Sequence, residues 1–472
     1  MVFNSIIYFL FLACSLSIYY LLPDKFRNYF LIIVSIFFYA YAGIEYIFLV
    51  ISLIIINYLI GIGINRTENR KKRTGYLYIS LIINLGVLIF YKYWKFAIEN
   101  LFEFLGWFHI NAPQIPILEL VLPLGLSYYI FQIIGYILDI YRGSIGAEKN
   151  ISDFCLFILF FPKLSVGPIE RAPHFLPQLK KRISFDTDNL VEGGKQIAWG
   201  LFKKLVVADR IAVYENAVMM YPSEQSGITL FFASVLYAFQ VYADFSGYTD
   251  IALGTARLFG FNLMENFRQP FFAKNVSDFW RRWHISLSSW VNDYIFNPIV
   301  LKHRNWGKWG VFYGLMISFV IIGIWHGASW NYVFFGLLQA AALIYETVTK
   351  KIRKKVKRKM NQALYDAISI LFTFLFITFS LIIFRSSTLT DAFEIINGIF
   401  FYHGSLFYKI STLMFILIGC GIILYRDIQK EFRILWYSGK GWLTQQVSYA
   451  LLLIYILIAG VFDGGQFIYF TF

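Results

Sequence analysis

The chain has few charged residues and few cysteines. Only 15% of its 472 residues are charged, and 58% are hydrophobic, whereas about a quarter of the residues of a soluble globular domain are charged. The three cysteines, Cys14, Cys155 and Cys420, stand alone in apolar surroundings, without the paired spacing of a redox motif. We interpret them as buried apolar residues. The composition predicts a membrane protein.

Several motifs of soluble enzymes are also missing. The chain carries neither a Walker A loop nor a dinucleotide-binding glycine fingerprint. No two histidines are three or four residues apart, and no cluster has the spacing of a zinc site, so we expect neither a metal nor a tightly bound cofactor. The segment Gly125-Leu-Ser127 lacks the second glycine of a serine-nucleophile turn. A histidine acting as general base on an incoming hydroxyl is the chemistry that remains.

Long apolar runs are abundant. Each run of about 18 residues or more can span a bilayer as a helix, and only helices and closed barrels satisfy the backbone in lipid. We therefore predict an all-α polytopic membrane protein with about 10–12 crossings. The clear candidates are residues 6–22, 28–43, 45–64, 75–92, 116–140, 310–326, 331–348, 363–384, 405–425 and 446–462. Less certain spans lie in residues 151–166, 190–218 and 227–260.

The apolar N-terminus is predicted to be the first of these spans. Residues 1–23 lack a basic segment at their start, and their apolar stretch is longer than that of a typical secretory signal. We therefore expect residue 1 to remain in the mature chain.

The net charge of +14 is concentrated in short basic clusters at the ends of apolar runs. Residues 350–359 hold eight basic residues in ten, and residues 66–73 and 302–308 form similar clusters. This is the positive-inside pattern, which orients membrane helices and can contact anionic lipid. Both ends of the apolar hairpin at 310–348 are therefore expected in the cytoplasm. No segment outside the membrane is large enough for a nucleic-acid-binding surface, so we exclude nucleic acid as a partner.

The basic run at 350–359 is the best compositional boundary. It divides the chain into residues 1–349, with interrupted apolar stretches, and residues 350–472, with plainer spans. The interruptions lie at 161–183, which contains four prolines, and at 265–309. Non-helical chain beside membrane spans is tolerated where protein buries it or a water-filled cavity adjoins it. The interruptions therefore predict a site between helices.

His326 lies at the tip of the predicted hairpin. It stands near the end of the apolar run at 310–327, and the next run starts at Asn331. Ionisable groups at membrane depth are rare and by default suggest function, and imidazole suits proton transfer near neutral pH. The alternative is helix packing, because Gly323 and Gly327 form a GxxxG spacing. A packing contact does not require a titratable ring, so function is favoured.

A second histidine lies in the interruption that precedes this hairpin. On a helical wheel of residues 279–297, His284 shares one face with Trp280 and Trp283, which predicts an amphipathic helix at the membrane interface. His284 is expected to point inward and to lie nearer the cytoplasm than His326. The two histidines would then approach a transmembrane path from opposite sides. A hydrogen bond to a backbone carbonyl is the structural alternative for His284.

Two carboxylates, Asp244 and Asp250, lie within or beside an apolar stretch. Buried carboxylates need partners, and hydrogen bonding to tyrosine, serine or Arg257 is the favoured interpretation. Intramembrane acids also mark proton relays, so a proton-coupled transporter is the non-enzyme alternative. The remaining histidines are interpreted as structural: His109, His174, His303 and His403.

Five separated motifs stand out in the chain. They are YADFSGYTDIALGTARLFGF at 242–261, FWRRWHISLSSWVNDYIFNP at 279–298, GIWHGASWNYVFFG at 323–336, FFPKLSVGPIERAPHFLPQL at 160–179 and QFIYFTF at 466–472. Together they resemble the membrane-bound O-acyltransferase family, and the bacterial alginate O-acetyltransferase type in particular. The resemblance implies a helical bundle with re-entrant and interfacial helices around a central pore. The catalytic core would occupy residues 115–345.

The resemblance also implies the chemistry. His326, in the WHG position, would be catalytic as a general base on the acceptor hydroxyl, and His284, in the RRWH position, would assist it. Acetyl-CoA or an acyl-carrier thioester would be the donor on the cytoplasmic side. The acyl group would reach a cell-surface polysaccharide directly or through a periplasmic or extracellular acetyltransferase partner. Such an enzyme would be a multi-pass protein embedded in the lipid bilayer of the cytoplasmic (inner) membrane.

Further residues of these motifs are candidates for lining the substrate path or pore. They are Trp325, Asn331, Asp293, Asn297, Arg281, Arg282, Asp244 and Tyr248. One departure concerns residues 299–310, IVLKHRNWGKWG, where the alginate type commonly has a Gly-Gly-Asn-Arg segment. The alternative enzyme is the D-alanyl transferase of the teichoic-acid type, which takes its acyl group from a carrier protein and shares the RRWHISLS and WHG motifs.

Overall fold

A computed structural model of the chain describes residues 1–110, 115, 118, 120–407, 409–433 and 442–462. These residues are mostly helical and contain no β-strand, only an isolated bridge between Phe267 and Trp283. The predicted all-α polytopic fold is confirmed. The motif at 466–472 lies outside the described residues.

Seven of the described helices are long and apolar enough to cross a membrane. The predicted spans at 310–326, 331–348 and 363–384 each fall within one of them. Two shorter apolar helices are Ile6–Leu21 and Gln446–Ala459, and the total of 10–12 crossings stays a prediction. The seven are Glu45–Arg66, Arg70–Trp107, Gly227–Leu258, Lys308–His326, Trp330–Lys359, Gln362–Arg385 and Ile410–Phe432.

The chain forms two compact units. Unit 1 comprises Met1–Gly194 and Ala252–Met264, and unit 2 comprises Lys195–Ile251 and Glu265–Phe472. The helices that lie wholly in unit 1 are α1 (Ile6–Leu21), α2 (Asp24–Ala40), α3 (Glu45–Arg66), α4 (Arg70–Leu88), α5 (Trp94–Trp107), α6 (Leu126–Arg142), α7 (Ile151–Leu159), α8 (Phe161–Leu164) and α9 (Ala172–Leu179).

The helices from α10 onward belong to unit 2, except that α10 and α12 also contain residues of unit 1. They are α10 (Thr187–Leu201), α11 (Asp209–Met219), α12 (Gly227–Leu258), α13 (Val276–Arg282), α14 (Ile285–Val291), α15 (Asn297–Lys302), α16 (Lys308–His326), α17 (Trp330–Lys359), α18 (Gln362–Arg385), α19 (Leu389–Phe401), α20 (Ile410–Phe432) and α21 (Trp442–Ala459). Three π-helical segments interrupt the α-helices, at Ile89–Tyr93, Phe202–Ala208 and Asn292–Phe296.

Glycines bring α16 and α17 into backbone contact. A Cβ on Gly323 would lie 2.1 Å from the carbonyl oxygen of Tyr332, and one on Gly336 would lie 2.2 Å from that of Phe319. The close packing that the GxxxG spacing suggests is therefore present, and it coexists with the candidate histidine at the end of α16. Because α17 runs without a break to Lys359, no linker separates residues 349 and 350, and the division proposed there stays a prediction.

Replacing Gly323 with alanine is expected to force α16 and α17 apart, because the added methyl group overlaps the Tyr332 carbonyl. Overpacking of this kind costs about 1–3 kcal/mol, so the detergent-purified variant should unfold at a lower temperature. The matched control is Gly421→Ala in α20, where nothing lies within 4 Å of the added Cβ. Equal unfolding temperatures for the two variants would contradict this packing.

Candidate active site

His326 is the last residue of α16, at the tip of the hairpin. At 1.5 Å per residue, a 19-residue helix places it roughly 28 Å from the basic start of α16, close to the thickness of a bilayer's hydrocarbon core. The hairpin turns over three residues, and the Ser329 hydroxyl caps α17 by accepting a hydrogen bond from the backbone N–H of Asn331 at 3.3 Å. His326 is only 4% exposed. The predicted hairpin is confirmed.

Aromatic side chains enclose the imidazole of His326. Its centroid lies 5.1 Å from that of Trp325, 5.1 Å from that of Phe384 in α18 and 6.4 Å from that of Phe335 in α17. Electrostatic interactions are stronger in an apolar shell than in water. The surroundings of His326 therefore favour proton transfer within a site that excludes bulk solvent.

His284 lies at a break between two short helices. Trp283 and His284 separate α13 from α14, and His284 adopts a left-handed backbone conformation with φ 43° and ψ 54°. The prediction of one amphipathic helix over residues 279–297 is therefore wrong. The face predicted for that helix is nevertheless buried, including His284 itself, which is 0% exposed.

A distant segment of the chain holds this break. The backbone N–H of Ile285 donates to the carbonyl oxygen of Asn266 at 3.0 Å, and that of Ser286 donates to Asn266 Oδ1 at 3.2 Å. A left-handed conformation costs a residue other than glycine about 1–2 kcal/mol. Positions with such strain cluster at functional sites, so the geometry supports a role for His284 beyond packing.

Trp325 brings the two histidines together. The centroid of its ring lies 5.6 Å from that of His284 and 5.1 Å from that of His326. The ring of Phe245, in α12, packs on His284 in a T-shaped arrangement with centroids 4.7 Å apart. The inward direction predicted for His284 is confirmed. Both rings lie against one indole, at the same end of α16. The expectation that His284 lies nearer the opposite end of the hairpin is therefore wrong.

Burial lowers the pKa of His284 to about 3, because removal from water disfavours the charged imidazolium. The ring is therefore neutral across the physiological pH range. A neutral imidazole can donate one hydrogen bond and accept another. His284 is consequently suited to positioning or polarising a substrate group without titrating.

A cavity of about 480 Å³ follows α16 to within one helical turn of His326. Ile322, four residues before His326, is the lining residue of α16 nearest to it in sequence. Ser318 also lines the cavity and is buried, and its hydroxyl has no hydrogen-bond partner among the described residues. The volume is typical of a small-molecule site. The other lining residues are Ser277, Trp280, Arg281, Ile285, Ser288, Ser289, Val291, Asn292, Phe296, Leu315, Phe319 and Leu343.

Of the two predicted arginines, one lines this cavity and the other joins helices. Arg281 is exposed, and its guanidinium donates to the Ser277 hydroxyl at 2.9 Å. The Arg282 guanidinium binds both carboxylate oxygens of Glu431, at 2.6 and 3.1 Å, and Asp278 at 3.1 Å. Arg282 thus fixes α13 to α20, and Arg281 is the arginine placed for a ligand.

Three further candidates do not line this cavity. Asp293 and Asn297 are exposed, and Asp293 accepts a hydrogen bond from the side chain of Asn292 at 3.2 Å. Asn331 is buried and donates to the carbonyl oxygen of Ser386 at 2.5 Å. This bond joins the start of α17 to the end of α18 and so supports the wall that carries the rings around His326.

Asp244 and Tyr248 belong to a buried charged cluster centred on Lys204, which the sequence did not predict. Lys204 Nζ lies 2.8 Å from Asp209 Oδ1 and 2.8 Å from Asp244 Oδ1, and 5.4 Å from the ring centroid of Tyr248. Asp244 directly precedes Phe245, the residue that packs on His284. The cluster therefore holds the stretch of α12 against which one histidine rests.

Asp250 also pairs with a lysine of the π-helical segment at 202–208. Lys203 Nζ lies 2.5 Å from Asp250 Oδ2 and donates to the Ser246 hydroxyl at 2.8 Å. The predicted partner Arg257 bonds Asn189 Oδ1 instead, at 3.3 Å. A recognisable signal was present, because adjacent lysines within the apolar stretch at 201–208 require buried acids. Among the described residues, no group of three or more His, Cys, Asp or Glu side chains could hold a metal ion.

Comparison with known proteins gives a family match and several relatives. Residues 146–388, which include both histidines, match the model of the membrane-bound O-acyltransferase family. The chain is 32% identical over 402 residues to a probable alginate O-acetylase of Pseudomonas putida, which covers 85% of this chain and 80% of that protein. It is 30% identical to a peptidoglycan O-acetyltransferase of Helicobacter pylori over 84% of this chain and 79% of that protein. It is 28% identical to a teichoic acid D-alanyltransferase of Bacillus subtilis over 67% of this chain and 79% of that protein.

Proposed function

We propose that this chain, which belongs to the membrane-bound O-acyltransferase family, moves an acetyl group from a cytoplasmic thioester to hydroxyls of a cell-surface polysaccharide. Its family makes it a membrane-embedded O-acyltransferase and not a transporter. The names of the alginate and peptidoglycan O-acetyltransferases support a polysaccharide acceptor. The observation that carries the proposal is a cavity lined by Ile322, one helical turn before His326 in α16, together with the contact of His284 and His326 with the same indole.

His326 acts as the general base in this reaction. Its ring nitrogen takes the proton of the acceptor hydroxyl while the oxygen attacks the thioester carbonyl carbon. A C–O bond forms, and the carbonyl oxygen carries the negative charge of the tetrahedral intermediate. When the intermediate collapses, the C–S bond breaks and the imidazolium returns its proton to the departing sulfur. The products are an ester and a free thiol, and His326 is neutral again.

His284 donates a hydrogen bond to the carbonyl oxygen of the thioester. Negative charge develops on this oxygen in the transition state, and a fixed donor in a water-poor site stabilises that charge. Because burial lowers the pKa of His284, the ring polarises the carbonyl as a neutral donor and carries no proton between substrates. Phe245 and Trp325 pack on the ring and set its orientation.

The 480 Å³ cavity along α16 takes the thioester arm of the donor. A pantetheine arm combines apolar segments with amides, and the lining combines apolar side chains with the hydroxyls of Ser288, Ser289 and Ser318. A buried hydroxyl without a partner is costly, so the Ser318 hydroxyl favours a ligand that supplies one. Arg281, at the same cavity, suits an anionic group of the donor.

Replacing Ser318 with phenylalanine is expected to fill this cavity and to lower the transfer rate by about 10²-fold, because small displacements of a reacting group have effects of that size. The rate should be measured at equal amounts of folded protein, over a range of donor concentrations. The control is Ile324→Phe, which adds a ring at an exposed position of the same helix. Equal rates for Ser318→Phe and the control would show that the cavity does not hold the donor.

The donor itself is tested by supplying the purified protein with acetyl-CoA or with an acyl-carrier thioester, each labelled in the acyl group. Ester-linked label from acetyl-CoA supports the proposal. Transfer of D-alanine from a carrier protein alone would support the teichoic-acid type, which the Bacillus subtilis relative keeps as the alternative. Adding or omitting a periplasmic or extracellular acetyltransferase partner decides whether the polysaccharide is acetylated directly.

A further inference from the structure

Unit 1 contains a polar pocket of about 520 Å³ that the proposed chemistry does not use. All of its lining residues belong to unit 1, on α9, on the segment at 181–189 and on the turn after α12. The motif at 160–179 therefore lines a pocket to which the proposed chemistry gives no role. It supplies Pro173, His174, Pro177 and Gln178 to the lining.

Glu170 holds the imidazole of His174 at the wall of this pocket. His174 Nδ1 lies 2.8 Å from Glu170 Oε2, and Glu170 Oε1 accepts a hydrogen bond from the backbone N–H of Met264. Glu170 is 1% exposed, whereas the His174 side chain is 42% exposed. Because Nδ1 is engaged, Nε2 is the ring nitrogen available to a ligand in the pocket.

Basic side chains line the pocket. The hydrogen bond that Glu170 accepts raises the pKa of His174, because it stabilises the imidazolium. Lys181 adds a positive charge to the lining, Asp186 adds a negative charge, and Arg182 is paired with Asp24 at 2.5 Å. Imidazolium, ammonium and guanidinium groups are the donors that recognise phosphate oxygens.

The wall around His174 is preformed. The side-chain amide of Gln178 donates to the carbonyl oxygens of His174 and Asn262, at 3.0 and 2.9 Å. Gln178 Oε1 accepts a hydrogen bond from the backbone N–H of Asn262 at 2.8 Å. This reciprocal pair joins α9 to the turn after α12. Little of the protein has to become ordered when a ligand binds, so little binding free energy is lost in ordering it.

Contacts around Glu148 connect the region of the pocket with the basic cluster at 66–73, since the backbone N–H of Ala147 donates to Asn65 Oδ1 at 3.2 Å. Lys180, beside the pocket in sequence, binds Glu148 at 2.8 Å. Arg73, in the basic cluster at 66–73, donates to the carbonyl oxygen of Tyr141 at 2.9 Å, at the end of α6. By the positive-inside rule this end faces the cytoplasm.

We infer that the pocket around Glu170 and His174 binds a phosphate group at the cytoplasmic face. The phosphate is that of a coenzyme A-type donor or that of an anionic phospholipid headgroup, and both present the same anion to His174 and Lys181. The inference rests on the proposed function only for the identity of the donor. Phosphate binding itself does not require the chemistry at His326.

The test measures binding by the full-length purified protein. Affinities are determined for coenzyme A, for pantetheine and, in lipid nanodiscs, for phosphatidylglycerol against phosphatidylcholine. His174→Ala, Glu170→Gln and Lys181→Ala are each expected to weaken binding of the phosphate-bearing ligand by about 10-fold, with pantetheine unaffected. Lys72→Ala removes the same charge from the exposed basic cluster at 66–73 and should leave the affinity for coenzyme A unchanged.

The outcomes distinguish the two sources of the phosphate group. Weaker coenzyme A binding alone identifies the donor, and loss of the preference for phosphatidylglycerol alone identifies the lipid. Unchanged affinity for both ligands in Lys181→Ala and His174→Ala overturns the inference. If His174→Ala does not fold, His174→Arg, which keeps the charge, is compared with Lys181→Ala. The two proposals can fail separately. If the purified protein transfers no acetyl group but these variants still lose phosphate binding, the proposed function is contradicted and the phosphate site is supported.

Discussion

Replacing His326 with alanine is expected to lower the rate of acetyl transfer by about 10²–10⁴-fold, the usual loss when a general base is removed. The acceptor hydroxyl then attacks with its proton still in place. His284 cannot replace the base, because burial keeps its pKa near 3. The measurement is the initial rate of ester formation from labelled acetyl-CoA.

Two further variants make this prediction decisive. His326→Gln fills much of the space between Trp325 and Phe384 and should lose as much activity as the alanine variant, so a collapse of the aromatic shell cannot explain the loss. His403→Ala makes the same change at an exposed histidine of unit 2 and should retain full activity. A glutamine variant with near-normal rates would show that His326 is not the base.

Replacing Lys204 with methionine is expected to destabilise the protein by about 3–5 kcal/mol, the cost of leaving a buried ion pair without one partner. Lys204 lies between Asp209 and Asp244, and all three are almost fully buried. Without the ammonium group, two buried carboxylates face each other. The expected results are a low yield of folded protein and a large fall in unfolding temperature.

Removing the whole cluster is expected to restore much of this stability. In a variant that combines Lys204→Met with Asp209→Asn and Asp244→Asn, no buried charge is left without a partner, and such replacements are often close to neutral. Lys302→Met, at an exposed lysine of the same unit, should change stability by less than about 0.5 kcal/mol. A Lys204→Met variant as stable as this control would contradict the role given to the cluster.

The hairpin that carries His326 could be predicted because the signals that define it are local. Two apolar runs separated by a short turn are sufficient to specify two long apolar helices and the hairpin that they form. The glycines of the same sequence also indicated close helix packing, and Gly323 lies against Tyr332 as expected. Each of these features depends on residues within one stretch of chain.

The conformation at His284 could not be predicted in this way. Residues 279–297 have the periodicity of one helix, but Asn266 bonds the backbone at Ile285 and Ser286 and holds the break. A contact made by a residue 18 positions earlier than His284 overrides the local pattern. The burial of His284 was predictable, because its apolar neighbours are buried in either conformation.

The pairing of charged groups in the core, and the pocket in unit 1, could not be predicted from the sequence for a related reason. Asp244 and Lys204 both lie in apolar stretches, so each requires a buried partner, but the sequence does not indicate that these two residues, 40 positions apart, pair with each other. Glu170 and His174, four residues apart, were close enough to be recognised as a pair. Their significance depends on a pocket whose other walls come from distant parts of the chain.

An acyl group is proposed to pass from a thioester on one face of the membrane to a hydroxyl on the other, at His326. The most direct measurement uses vesicles in which the cytoplasmic face of the protein points outward and polysaccharide is trapped inside. Labelled acetyl-CoA is added outside, and ester-linked label in the trapped polymer is measured. We predict label in the trapped polymer with the wild type and none with His326→Gln. Label that appears only on polymer added outside, or equally with both proteins, would contradict transfer across the membrane at His326.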